Sequence, residues 1–105
     1  MINNRKKKLE EEIRKIVSSF INEHTNRTSL ITVTRVDVSP NLAKVDLYVT
    51  VFPESGEESA LNFLKRKRPE VKEAIKRGMN IRRIPFVDFE IDMGEKNRQK
   101  INELL

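Results

Sequence analysis

Between positions 65 and 83 stand nine basic side chains, Lys65, Arg66, Lys67, Arg68, Lys72, Lys76, Arg77, Arg82 and Arg83, opposed only by Glu70 and Glu73. A net +7 over nineteen residues points to binding chemistry, because ammonium and guanidinium groups at this density attract a polyanion and steer its approach. The first fifteen residues add +3 and the remainder carries −5, within a whole-chain charge of +5. A basic element is therefore set on an acidic body. The plain alternative is a solubilising surface, but such surfaces mix their signs. No aromatic residue interrupts the basic stretch, which favours contact with phosphates over stacking on bases.

Groups that could react are scarce. His24 is the only histidine and falls in the polar run from Asn22 to Ser29 with no evident base beside it, so it reads as a surface residue. Glu10, Glu11 and Glu12 fan around a helix axis and do not converge on one reacting atom. Glu57 and Glu58 read the same way. Asp88, Glu90 and Asp92 alternate along one strand face, which suits a solvated sheet better than a divalent cation. The three glycines, at 56, 78 and 94, form no phosphate-cradling loop. Without cysteine there is no disulfide, thiol nucleophile or cysteine metal site. The chain thus reads as non-enzymatic, with no catalytic residue, metal or cofactor expected.

A chain of 105 residues fits one domain, and 35% charged against 6% aromatic residues requires a mostly aliphatic core. Its apolar runs are too short to span a bilayer. Acids at 10–12 occupy the place where a signal peptide would be apolar, so a soluble, cytoplasmic protein with no membrane partner is expected.

The elements follow from periodicity. Leu9, Ile13, Ile16, Val17, Phe20 and Ile21 line one face of a helix over residues 4–23. Its charges fall at four-residue spacing (Lys6–Glu10, Lys7–Glu11, Lys8–Glu12, Glu10–Arg14, Glu11–Lys15), and each such pair is worth roughly 0.2–0.5 kcal/mol. Arg5 to Lys8 is either this solvated face or an added RNA contact.

Residues 30–52 read as a β-hairpin. In its first strand Ile31 and Val33 share one face and Val36 and Val38 the other, so a bulge near Thr34-Arg35 is needed to reconcile them. Ser39-Pro40-Asn41-Leu42 supplies the turn, with Asn41 suited to unusual dihedrals. Val45, Leu47, Val49 and Val51 alternate with Asp46, Tyr48, Thr50 and Phe52. Tyr48 and Phe52 form either a small stacking platform or a surface buried under the C-terminal tail.

A helix–kink–helix over residues 56–78 comes next. It opens on a capping box of Ser55 and Glu58, buries Ala60, Leu61 and Leu64, and bends at Lys67-Arg68 before Pro69. The second helix buries Val71, Ala74 and Ile75, and Gly78 is expected as its left-handed stop. A strand over residues 84–92 places Val87, Phe89 and Ile91 on one face. Gly94 breaks it before a short tail over 95–105, in which Ile101, Leu104 and Leu105 stand at helical spacing. The order α-β-β-α-α-β predicts an α+β layer with helices on one face of a three-stranded sheet.

Over nearly its whole length the chain resembles the bacterial ribosome-binding factor A family. Ile31 through Val49 is similar to that family's first two strands and their Ser-Pro turn. Ile81-Arg82-Arg83-Ile84-Pro85-Phe86-Val87-Asp88-Phe89 is similar to its third strand, and Asp92 with Ile101-Asn102-Glu103-Leu104-Leu105 to its ending. The resemblance implies a type II K-homology (KH-like) domain that binds the free 30S ribosomal subunit and its 16S rRNA. It also implies support of late subunit maturation, rRNA processing and growth in the cold. Members usually mark the kink with Ala-x-Gly in place of the Gly-x-x-Gly loop of ordinary K-homology domains; here the region reads Arg66-Lys67-Arg68-Pro69.

The expected activity is rRNA binding by a monomer, with Lys65, Arg66, Lys67, Arg68, Lys72, Lys76 and Arg77 on phosphates and Arg82 and Arg83 in support. Neutralising about five phosphates predicts a log–log salt slope of roughly −3.5 to −4.5. The competing reading is an adaptor whose basic helix pair docks an acidic protein, a complex that would survive nuclease.

Overall fold

The computed structural model describes residues 4–25, 28–79 and 86–104. In chain order these form α1 (Asn4–His24), β1 (Leu30–Val38), β2 (Lys44–Phe52), a 3-10 turn (Glu54–Gly56), α2 (Glu57–Arg66), α3 (Arg68–Met79), β3 (Phe86–Ile91) and α4 (Met93–Leu104). The sheet order is β1-β2-β3, with β1 antiparallel and β3 parallel to β2. This is the α+β, type II KH-like order expected, and α1, α2 and α3 pack against one face of the sheet.

Strand β1 solves its change of phase with a bulge between Val33 and Arg35. One extra residue there turns Val33, Val36 and Val38 all to the inner face, where each is buried. Register then stacks apolar rows across the sheet: Val36, Leu47 and Phe89 stand side by side, as do Val38, Val45 and Val87. Ile13, Val17, Phe20 and Ile21 of α1, Ala60 and Leu64 of α2, and Val71 and Ile75 of α3 close over them.

Several local expectations fail for identifiable reasons. No side-chain cap opens α2; Ser55 lies within the 3-10 turn and Gly56 takes the cap position, so the capping box does not form. Helix α3 runs through Gly78 to Met79, and no described glycine has positive φ. A Cβ at Gly78 would lie 2.6 Å from Ile16 Cδ1, so this glycine serves close packing against α1. In the Ser39–Lys44 turn it is Leu42, not Asn41, that takes the left-handed conformation, with φ 58°. Asn41 instead accepts from the Ser39 hydroxyl, 2.9 Å away.

The charges of α1 pair differently from the four-residue scheme. Arg14 bridges Glu11, Lys6 lies 3.9 Å from Asp37 on β1, and Glu10 accepts from the Val38 amide at 3.0 Å. Gly94 breaks no strand but falls in the first turn of α4, and the tail whose apolar residues stand at helical spacing is a helix that begins at Met93. Asp92 caps that helix, accepting from the Glu95 amide at 3.0 Å. Phe52 stays 69% exposed and is not covered by α4. Positions 84 and 85 of the expected strand lie outside the described residues. Among the described residues no helix is long and apolar enough to cross a membrane.

Candidate nucleic-acid interface

The basic stretch is organised by one residue. Lys67 alone separates α2 from α3, with φ −92° and ψ 6°. Its amide donates to Leu64 O at 3.0 Å and its carbonyl accepts from Val71 N at 2.9 Å, so both helices end on the same residue. Pro69 falls in the first turn of α3, where no amide is needed. The bend expected at Lys67-Arg68 therefore forms without a glycine. Lys65 and Arg66 close α2, and Lys76 and Arg77 close α3, so four of the cations also oppose helix dipoles at their negative ends.

The side chains do not share one surface. Lys65 Nζ and Arg68 Nη1 both reach Asp88 Oδ1 on β3, at 2.9 and 3.0 Å. Lys67 Nζ stands 3.4 Å from Glu70 and 5.9 Å over the Phe63 ring. Arg66 lines a cleft with His24, Ser59 and Phe63. Arg77 lines a groove against α1 that includes Lys15, Ile16, Phe20 and Glu73. Lys72 and Lys76 continue the four-residue spacing of Arg68 along α3, half-buried and exposed respectively. Among the described residues Arg66, Lys72, Lys76 and Arg77 have no acidic partner. Arg82 and Arg83 lie outside the described residues.

Strand alternation predicts Asp88 as a solvated acid, and the structure instead engages it. Its partial burial works to raise the carboxyl pKa, but hydrogen bonds from Lys65, the Phe89 amide and Arg68, with the Lys65 charge, outweigh it and hold the group below the ordinary aspartate value. The only signal in the sequence is an acid on the outer face of a strand that follows a basic helix pair, and spacing alone does not link it to Lys65 or Arg68.

Register also lines up Asp37, Asp46 and Asp88 across the outer face of the sheet. Lys44 Nζ stands 3.4 Å from Asp46. Beside that row Arg35 lies over the Tyr48 ring at 4.1 Å, so the tyrosine face is occupied by the chain's own guanidinium. That face is poorly suited to stacking a base. His24 ends α1 stacked on Phe20, with ring centroids 4.0 Å apart, and its Nδ1 lies 2.8 Å from Phe20 O. The glutamates at 11 and 57 are engaged by Arg14 and Lys96.

Comparison with known proteins places this geometry. Residues 5–105 match the model of the family described as Ribosome-binding factor A. Ribosome-binding factor A of Macrococcus caseolyticus is 31% identical over 107 residues, covering 95% of this chain and 94% of its own. The crystal structure of ribosome-binding factor A from Thermus thermophilus superposes with a TM-score of 0.71 at 30% identity, covering 79% of this chain and 91% of that one. A homology model of the Thermus thermophilus factor, fitted into a cryo-EM map of its 30S complex, gives a TM-score of 0.70 at 28% identity, over 79% of this chain and 90% of that one. With a family match over residues 5–105 and the same fold in solved relatives, the chain belongs to the ribosome-binding factor A family.

Proposed function

We propose that this protein is a ribosome-binding factor that acts on the free 30S subunit, contacting 16S rRNA through the α2–α3 unit and assisting late maturation and rRNA processing without catalysis. The Thermus thermophilus relative has been placed in a 30S complex, which supports the particle. The observation that carries the RNA surface is that Arg66, Lys72, Lys76 and Arg77 lack acidic partners among the described residues, on a helix pair bent at Lys67. Lys65, Lys67 and Arg68 join them when phosphate displaces their carboxylates. Arg82 and Arg83 support them from sequence alone. Contact is with the RNA backbone, and the shape of the particle supplies selectivity. The protein works as a monomer in the cytoplasm, where its substrate is assembled.

Co-sedimentation with isolated 30S subunits tests this. Wild type is expected to pellet with the subunits, and Lys72→Glu/Lys76→Glu to bind at least tenfold more weakly. Four unpaired cations alone would give a log–log salt slope of roughly −3 to −3.5, and each of Lys65, Lys67 and Arg68 that exchanges its carboxylate for a phosphate on the subunit should steepen it by roughly 0.7–0.9. Wild type that fails to pellet at low salt overturns the proposal. Capture of an acidic protein that persists after nuclease would replace it with an adaptor role.

A further inference from the structure

Three donors converge on a single oxygen at the kink. Asp88 Oδ1 accepts from Lys65 Nζ at 2.9 Å, from Arg68 Nη1 at 3.0 Å, and from the Phe89 amide at 2.9 Å. The amide is fixed by β3, so the carboxylate is anchored to the sheet while the cations approach from the last turn of α2 and the first turn of α3. Their side chains are 36% and 37% exposed and that of Asp88 is 24%, so the cluster faces solvent at its rim. An ammonium and a guanidinium held on one anionic oxygen are in the arrangement that a non-bridging phosphate oxygen would require. Asp88 occupies that place already.

We propose that Asp88 is an internal competitor for phosphate and thereby a specificity-determining residue: it withholds Lys65 and Arg68 from RNA that does not fit the kink. This rests on the RNA-binding reading above. Capture then begins on Arg66, Lys72, Lys76 and Arg77, whose charge is uncompensated. The two clamped cations are gained only by RNA whose shape sets a phosphate against the bend closely enough to displace the carboxylate. A freely floppy strand makes that exchange poorly, because it gives up an existing charge-assisted pair for one it must order itself to form. RNA already held in shape by the ribosomal particle meets no such ordering cost.

The test uses the full chain, with fluorescence anisotropy on a generic single-stranded RNA and co-sedimentation with purified 30S subunits, each across a salt series. Asp88→Asn keeps an acceptor for the Phe89 amide and removes the charge. It is expected to bind the generic strand about tenfold more tightly, to steepen the salt slope by roughly 1–2 units for two released cations, and to discriminate less between subunit and generic strand. Lys65→Ala/Arg68→Ala in the otherwise native chain should weaken generic binding less than twofold, whereas Lys72→Ala/Lys76→Ala weakens it severalfold. The Lys65→Ala/Arg68→Ala change made on top of Asp88→Asn should cancel the gain. An Asp88→Asn protein with native circular dichroism that binds the generic strand no more tightly overturns the inference. So does a generic-strand loss from Lys65→Ala/Arg68→Ala as large as that from Lys72→Ala/Lys76→Ala. If wild type binds subunits through Lys72 and Lys76 but Asp88→Asn changes nothing, only this inference falls. Wild type that binds neither RNA nor subunit removes the functional reading itself.

Discussion

Leu42 carries a backbone that its side chain opposes. Its φ of 58° is the one positive value among described non-glycine residues, and the residue is 54% exposed, so little packing offsets the strain. A left-handed L-residue with a Cβ costs about 1–2 kcal/mol, which glycine avoids at some cost in chain entropy. Leu42→Gly should therefore raise stability by about 0.5–1 kcal/mol in a urea melt. Asp92 works in the opposite sense. Its Oδ2 accepts from the Thr34 hydroxyl at 2.6 Å, and Oδ1 caps α4. The Thr34 hydroxyl first, then the backbone amides and Arg35, hold its carboxyl below the ordinary value against a smaller opposing effect of burial. A carboxyl depressed in the folded state favours folding above its unfolded pKa, about 3.9, and this contribution disappears as pH falls through the lower folded value. Asp92→Ala should cost about 1 kcal/mol at pH 7. The gap from wild type should shrink below about pH 4, read from thermal melts at neutral pH and near pH 3.

Among the elements, α3 shows how a glycine can be misread. Read from sequence as a stop, Gly78 would need positive φ, and alanine there would be strained. Inside the helix the balance differs. Alanine gains about 1 kcal/mol in helix propensity. Its Cβ would meet the far end of the Ile16 side chain, which must leave its rotamer at about 0.5–1.5 kcal/mol. Gly78→Ala should therefore change stability by less than about 0.5 kcal/mol in a urea melt. A loss above about 1.5 kcal/mol would mean that Ile16 cannot give way to the added methyl group. Helix α4 buries no residue, and its polar ties run through Asp92 to Thr34 and through Lys96, 3.0 Å from Glu57 and 3.7 Å from Glu54. These join the end of β3 to the start of α2, and they draw Lys96 away from any basic surface.

At the scale of the whole molecule, one aliphatic core holds three helices and three strands. Phe89 is fully buried beside Leu47, at the centre of the stacked rows. Removing such a ring typically costs about 3–5 kcal/mol, a large share of the roughly 5–15 kcal/mol available to a domain. Phe89→Ala is expected to lose about 3–5 kcal/mol of stability in a urea melt. Charge is distributed as sharply as apolar surface. Arg66, Lys72, Lys76 and Arg77 of α2 and α3 have no acidic partner among the described residues, whereas Asp37, Asp46 and Asp88 on the outer sheet face each have a basic one. The uncompensated cations of the helix pair add to a field of the kind that attracts a polyanion.

Periodicity by itself determined the element order, the buried positions, the bulge near Thr34-Arg35 and the bend before Pro69. Each depends on side-chain polarity at spacings of about two or 3.6 residues, or on the geometry of proline. The density of basic residues likewise located the concentrated positive charge at residues 65–83. Only the tertiary structure decided which cations remain available. Lys65 and Arg68 lie far from Asp88 along the chain, and their meeting depends on how the kinked helices settle against β3. Gly78 met Ile16 and Asp92 met Thr34 for the same reason: separation along the chain says nothing about distance until the core has closed.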